Sequence, residues 1–151
     1  MSEKKNTATL HFLLVLTYIT VVLNMFSYFF MALLLPDVKQ MYDANPDLVP
    51  EQTRTMFDTV LGLPRGFFAV TALLYAVEMA GAVLMGRLRR LGFHCYTVAR
   101  LLLLLVPVLF VGRDMLGIGN IMFALLFITA YYLVLRSLGV FSTGEDTATE
   151  Q

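Results

Sequence analysis

The chain has 151 residues, of which 58% are hydrophobic and only 15% charged, with a mean hydropathy of +0.74. A soluble domain carries about 25% charged residues, so this composition argues against one. The 11 basic and 11 acidic side chains cancel, which leaves no global field to attract nucleic acid, and the single cysteine, Cys95, excludes an internal disulfide or a dithiol redox pair.

Four apolar runs organise the chain. An apolar helix of about 18 residues or more spans a hydrocarbon layer about 30 Å thick. The first run, 10–35, holds no formal charge and ends at Pro36. It exceeds the short apolar core of a signal peptide, about 7–15 residues, so it is read as a retained crossing that stops at the proline.

Residues 36–65 form an extracytoplasmic loop in this reading. Val38, Met41 and Tyr42 share a helical face after Pro36. Asn45, Pro46 and Asp47 make a turn. Pro50 and Glu51 have the character of a helix start. Met56, Phe57, Val60 and Leu61 then recur at helical spacing opposite Arg54 and Asp58, which predicts a short amphipathic helix at the membrane surface, ended by Pro64.

The remaining crossings are expected at 66–86, 93–112 and 115–135, with a disordered tail over 142–151. The fold class is therefore all-α: one domain, a membrane bundle of four antiparallel helices with a short amphipathic helix between the first two. Basic residues near the helix ends set orientation. Lys4, Lys5, Arg87, Arg89, Arg90 and Arg136 fall on one side, against Lys39, Arg54, Arg65 and Arg113 on the other. Both termini are accordingly assigned to the cytoplasm.

Two charges stand inside the apolar runs. A charge at the centre of a membrane helix costs roughly 2.5–3.5 kcal/mol on insertion scales and is seldom idle. Glu78 lies eleven residues before Arg89, the middle of the second joint, and Arg100 eleven residues after it. At about 1.5 Å rise per residue, antiparallel neighbours bring the two to one depth. Three readings follow: an ion pair that locks two helices, a proton or cation site in which Glu78 exchanges partners, and an Arg100 that snorkels to the headgroups beside a protonated Glu78.

The first run also carries a polar seam, Thr17, Thr20, Asn24 and Ser27, spaced to share one face. Such residues in lipid turn inward and hydrogen-bond across helices. Ala72, Ala76 and Ala80 recur at steps of four and permit close backbone approach. His11 and His94 fall near the cytoplasmic interface, a placement weighed for haem ligation and read instead as polar anchoring. No hydrolase triad, phosphate loop or metal set is present in the sequence, so no catalytic, cofactor-binding or metal residue is assigned, and no cofactor is expected.

From Leu88 through Arg89, Arg90, Gly92, Phe93, His94, Tyr96 and Thr97 the chain resembles a group of small four-helix bacterial membrane proteins with no assigned activity. The likeness extends to Pro64–Phe68 and Ala72–Tyr75 and implies a bacterial inner membrane. Glu78, Met79, Ala80 and Gly81, with the Gly86–Arg87 exit, resemble the second helix of DoxX-like proteins, which implies quinone or redox chemistry. The first helix departs from that family's pattern.

The leading expectation is a non-enzymatic accessory or interaction subunit, with membrane lipid, other membrane proteins or further copies of itself as partners and no nucleic acid. The alternatives are a small transporter or proton-coupled conduit centred on Glu78, and a quinone-linked redox component.

Overall fold

The computed structural model describes residues 2–45, 47, 49–112 and 118–141. Five helices follow in order: α1 (Ser2–Ala44), α2 (Glu51–Leu61), α3 (Arg65–Gly86), α4 (Arg90–Phe110) and α5 (Ile118–Ser137). No strand occurs among the described residues. α1, α3, α4 and α5 are long and apolar enough to cross a membrane, by length and composition, which is compatible with a multi-pass membrane protein. The joint at Arg113 and Asp114 and the tail over 142–151 lie outside the described residues.

The first helix departs most from the sequence reading. α1 does not stop at Pro36 but continues through it to Ala44. Its 43 residues make a rod about 65 Å long, more than the hydrocarbon layer needs. Proline in a helix interior removes one hydrogen bond and leaves a carbonyl exposed four residues earlier. That carbonyl belongs to Ala32, and Arg65 at the start of α3 donates to it through Nε at 3.2 Å. A freed backbone group satisfied by a neighbouring helix is the condition under which membrane helices tolerate proline.

Beyond Pro36, the end of α1 packs on α2. Tyr42 donates a hydrogen bond to Asp58 Oδ1 at 2.9 Å, and its ring stacks on Phe57 at 6.1 Å. The amphipathic segment is helical over Glu51–Leu61, with Pro50 capping its start and Glu51 in the first turn. An acid there complements the positive end of the helix dipole.

Two cores hold the bundle. At the end nearer the termini, Leu10 and Leu14 of α1, Ala82 and Met85 of α3, Tyr96 of α4, and Tyr131 and Leu135 of α5 pack together. At the α2 end, Leu35, Leu61, Phe67, Phe68 and Val106 form the second cluster, to which α5 contributes no buried residue. α3 and α4 touch backbone to backbone at glycines. A Cβ built on Gly81 would lie 2.6 Å from Tyr96 N, and one on Gly92 would collide with the backbone of Leu84 and Met85. Of the alanines spaced by four, Ala72 is buried while Ala76 and Ala80 are exposed. The closest approach therefore runs through Gly81 and Gly92. Between α3 and α4 the chain reverses through Leu88 in the left-handed region (φ 55°), where Arg89 N closes a bond to Leu84 O at 3.1 Å.

Candidate functional site

The α3–α4 crossing brings Glu78 and Arg100 together. Arg100 Nη1 lies 3.0 Å from Glu78 Oε1. The depth match counted from Arg89 is realised because the reversal at Leu88 is tight and the two glycines let the helices run in register. Glu78 is wholly buried, whereas the Arg100 side chain retains 20% exposure. The second carboxylate oxygen, Oε2, is buried and has no hydrogen-bond partner among the described residues. Such an oxygen ordinarily costs about 1–3 kcal/mol, more when charged. The pair is thus half-satisfied.

Polar and apolar side chains share the space beside it. A cavity of about 370 Å³ is lined by Glu78, Arg100, Thr17, Thr20, Tyr96 and Asn120. A second, of about 310 Å³, adjoins it through Arg100 and Asn120 and adds Asn24, Tyr28 and Tyr75. A third hollow, of about 850 Å³, is walled by Tyr28, Asn120 and Ser27, and by Gln52, Thr55 and Thr59 of α2. Asn120 lines all three. Polar side chains thus stand among apolar ones, which include Leu16, Phe123 and Phe127 in the first cavity and Met56, Phe67 and Phe68 in the third.

The seam on α1 faces this space but behaves residue by residue. Thr17 alone reaches another helix, sharing a 2.8 Å hydrogen bond with the Tyr131 hydroxyl. The hydroxyl of Thr20 instead donates to Leu16 O at 2.9 Å, and Asn24 donates to Thr20 O at 2.7 Å. Both bond their own helix, as short polar side chains often do. Ser27 is exposed at the wall of the α2-side hollow. The expectation that all four bond across helices holds only for Thr17.

Tyr96, which lines the first cavity, packs on Tyr131 behind it. Tyr96 and Tyr131 are almost fully buried, and their rings meet edge to face at 5.0 Å. Sequence reasoning named Tyr96 and Tyr75 only within the segments of resemblance and assigned neither of them, nor Tyr131 or Asn120, to a site. A signal existed: Tyr96 stands one turn before Arg100, Tyr75 one turn before Glu78, and Asn120 interrupts an otherwise apolar stretch. A polar residue one helical turn from a buried charge shares its face.

The histidines stay apart from this centre. His11 Nδ1 donates to the Thr7 carbonyl at 2.8 Å, and His94 is exposed beside Phe93. Cys95 is a free thiol. Among the described residues, no three His, Cys, Asp or Glu side chains converge as a metal site.

Chemically, the arrangement offers a buried carboxylate with one unpartnered oxygen, paired with an arginine that lines the adjoining cavity. A proton added to that oxygen would neutralise the carboxylate and weaken its attraction to the guanidinium. An all-α chain with four helices of membrane-crossing length and a half-satisfied charge pair at their centre is the class that fold and site define. Compared with protein-family models, curated proteins and solved structures, the chain matches none.

Proposed function

We propose that the protein is a small proton-coupled membrane conduit in which Glu78 is the titrating group. The observation that carries this reading is the buried, unpartnered Oε2: a purely structural ion pair would be expected to use both carboxylate oxygens, and Glu78 lines a cavity that also holds Arg100, Thr17, Thr20 and Asn120 among apolar walls. A proton arriving through the hollow binds Oε2, neutralises Glu78 and removes its Coulomb attraction to Arg100. Loss of that proton restores the pair. Intramembrane ionisable residues on such paths are the usual elements of proton relays. The surplus of basic residues at Lys4, Lys5, Arg87, Arg89, Arg90 and Arg136 supports both termini lying in the cytoplasm, with the hollow beside α2 on the opposite side.

The test is proton flux in liposomes loaded with a pH-sensitive dye. Wild-type protein should collapse an imposed pH gradient faster than empty vesicles. Glu78→Gln should not, while keeping its helical circular dichroism and its elution volume in detergent. A folded Glu78→Gln that conducts like wild type would remove Glu78 from the mechanism.

A second reading, the accessory or interaction subunit, is favoured by one observation. On α2, Met56 is 70% exposed and Phe57 42%, an apolar face offered at the surface. Affinity capture in mild detergent that returns a defined membrane partner from wild type, and not from Met56→Ser, would support it.

A further inference from the structure

A separate and almost wholly apolar groove runs between α1 and α3. It encloses about 740 Å³ and is walled by Met25, Phe26 and Phe29 on one side and Ala69, Leu73 and Ala76 on the other. Arg65, with Gly66 beside it, stands at one end as the one charged residue among its described walls. We propose that this groove binds an anionic phospholipid, one acyl chain lying along the alanines and the phosphate resting on Arg65. The inference rests on the helices lying in a bilayer and on nothing in the conduit reading.

Length fits first. From Arg65 to Ala76 is eleven residues of α3, about 16 Å at the helical rise. That is about half of a hydrocarbon core roughly 30 Å thick, the depth of one leaflet. Arg65 opens α3, where hydrocarbon gives way to headgroups, so the charge and the apolar trough fall where a phospholipid's own two parts fall.

Shape and charge agree. Small side chains at Ala69, Ala72 and Ala76 hollow one wall, while the phenyl rings of Phe26 and Phe29 form the other. The guanidinium of Arg65 is fixed at the mouth by the Nε bond to Ala32 O. Among the described residues no carboxylate pairs with it, the two ion pairs being Arg54–Asp47 and Arg100–Glu78. A fixed, uncompensated guanidinium is suited to a phosphate, which it can engage through two N–H groups. Gly66 leaves open space above its Cα, since a Cβ there would meet nothing within 4 Å. A partner helix of ordinary apolar character would cover Arg65 without offering it an anion.

Native mass spectrometry of the full chain in detergent tests the assignment, titrating phosphatidylglycerol against phosphatidylcholine with the same acyl chains. One phosphatidylglycerol should bind with roughly fivefold preference, the scale of one basic residue at an anionic surface. Arg65→Gln, which keeps a donor for Ala32 O and removes the charge, should level the two lipids. Ala76→Phe, an exposed position that fills the deep end of the trough, should weaken both. Equal binding of the two lipids to wild type, or variants that bind as wild type does, would overturn the proposal. So would a dimer in place of the lipid adduct, or glycerol phosphate binding as well as the lipid. If Arg65→Gln loses helical signal, Arg65→Lys should retain the preference, and its loss there would count equally against the site.

Discussion

Removing Arg100 alone should be far more damaging than removing it together with Glu78. In Arg100→Leu the Glu78 carboxylate stays wholly buried and loses its one donor, with Oε2 already lacking any. Breaking a buried pair from one side costs about 3–5 kcal/mol. The Coulomb attraction itself is about 4 kcal/mol for unit charges 4 Å apart at an effective dielectric near 20, so both estimates fall in the same range. Replacing both partners by leucine removes the stranded charge, and such apolar replacements are often neutral or stabilising. The double variant should therefore recover most of the loss. Equilibrium unfolding in mixed micelles with increasing dodecyl sulfate, followed by helical circular dichroism, measures each corner of the cycle. The single-variant penalty should also shrink as pH falls, because a proton on the stranded carboxylate removes the charge that needs a partner. A single-variant loss below about 1 kcal/mol, the range of exposed pairs, would refute the reasoning. A double variant as unstable as the single would do the same.

Two further outcomes follow from the α3–α4 turn and crossing. Gly92→Ala should cost about 1–3 kcal/mol, the scale of overpacking, because its Cβ meets the backbone of Leu84, Met85 and Gly81 and not a side chain that can swing away. Gly119→Ala, with nothing within 4 Å, is the matched control in the same assay and should not destabilise. Leu88→Gly should raise stability by about 1 kcal/mol, since the left-handed φ of 55° strains a side chain but not glycine. Leu88 is 48% exposed, so little burial is lost, and an unchanged unfolding midpoint would argue against that strain.

The bundle was legible because lipid-crossing helices announce themselves by uninterrupted apolar length, and the short basic joint around Arg89 fixed which residues share a depth. What escaped the sequence reading depends on contacts between distant segments. Pro36 looks like a stop because a proline ends most helices, yet the donor that compensates it, Arg65, comes from the next crossing helix. Spacing placed Thr17, Thr20 and Asn24 on one face correctly. It could not say that Thr20 and Asn24 would turn back to their own carbonyls, because that competition is decided within a single helical turn. The small residues of the second crossing, Ala72, Ala76, Ala80, Gly81, Ala82 and Gly86, do not all face one neighbour. At about 100° per residue Gly81 lies about 180° from Ala72, so the α3–α4 contact is made on another face, while Ala72 and Ala76 line the groove beside α1. Asn120 was overlooked as a neutral residue in an apolar run, although a lone amide there has nothing local to bond.

The two sides of the polar hollow are held with different strength. Its floor is α3 and α4, locked by the Gly81–Gly92 contact and by the Glu78–Arg100 pair. The wall formed by α5 is anchored mainly at one end, where Tyr131 and Leu135 enter the first core and Tyr131 meets Thr17. Toward its start, Ile118 is 76% and Met122 66% exposed. Asn120, eleven residues from Tyr131, is thus at the end of a lever about 16 Å long. A tilt of about 10° about the tyrosine contact moves Asn120 by roughly 3 Å on that lever, about the diameter of a water molecule, while leaving Tyr131 in place. In the proposed conduit, access to Glu78 can therefore change by rocking α5 against a rigid pair, with no need to separate the helices that carry the charges. Shear and hinge motions of this size are ordinary for packed helices. The division of labour has a basis in the residues themselves: glycines where backbones must touch, and exposed apolar side chains at Ile118 and Met122 near the start of α5.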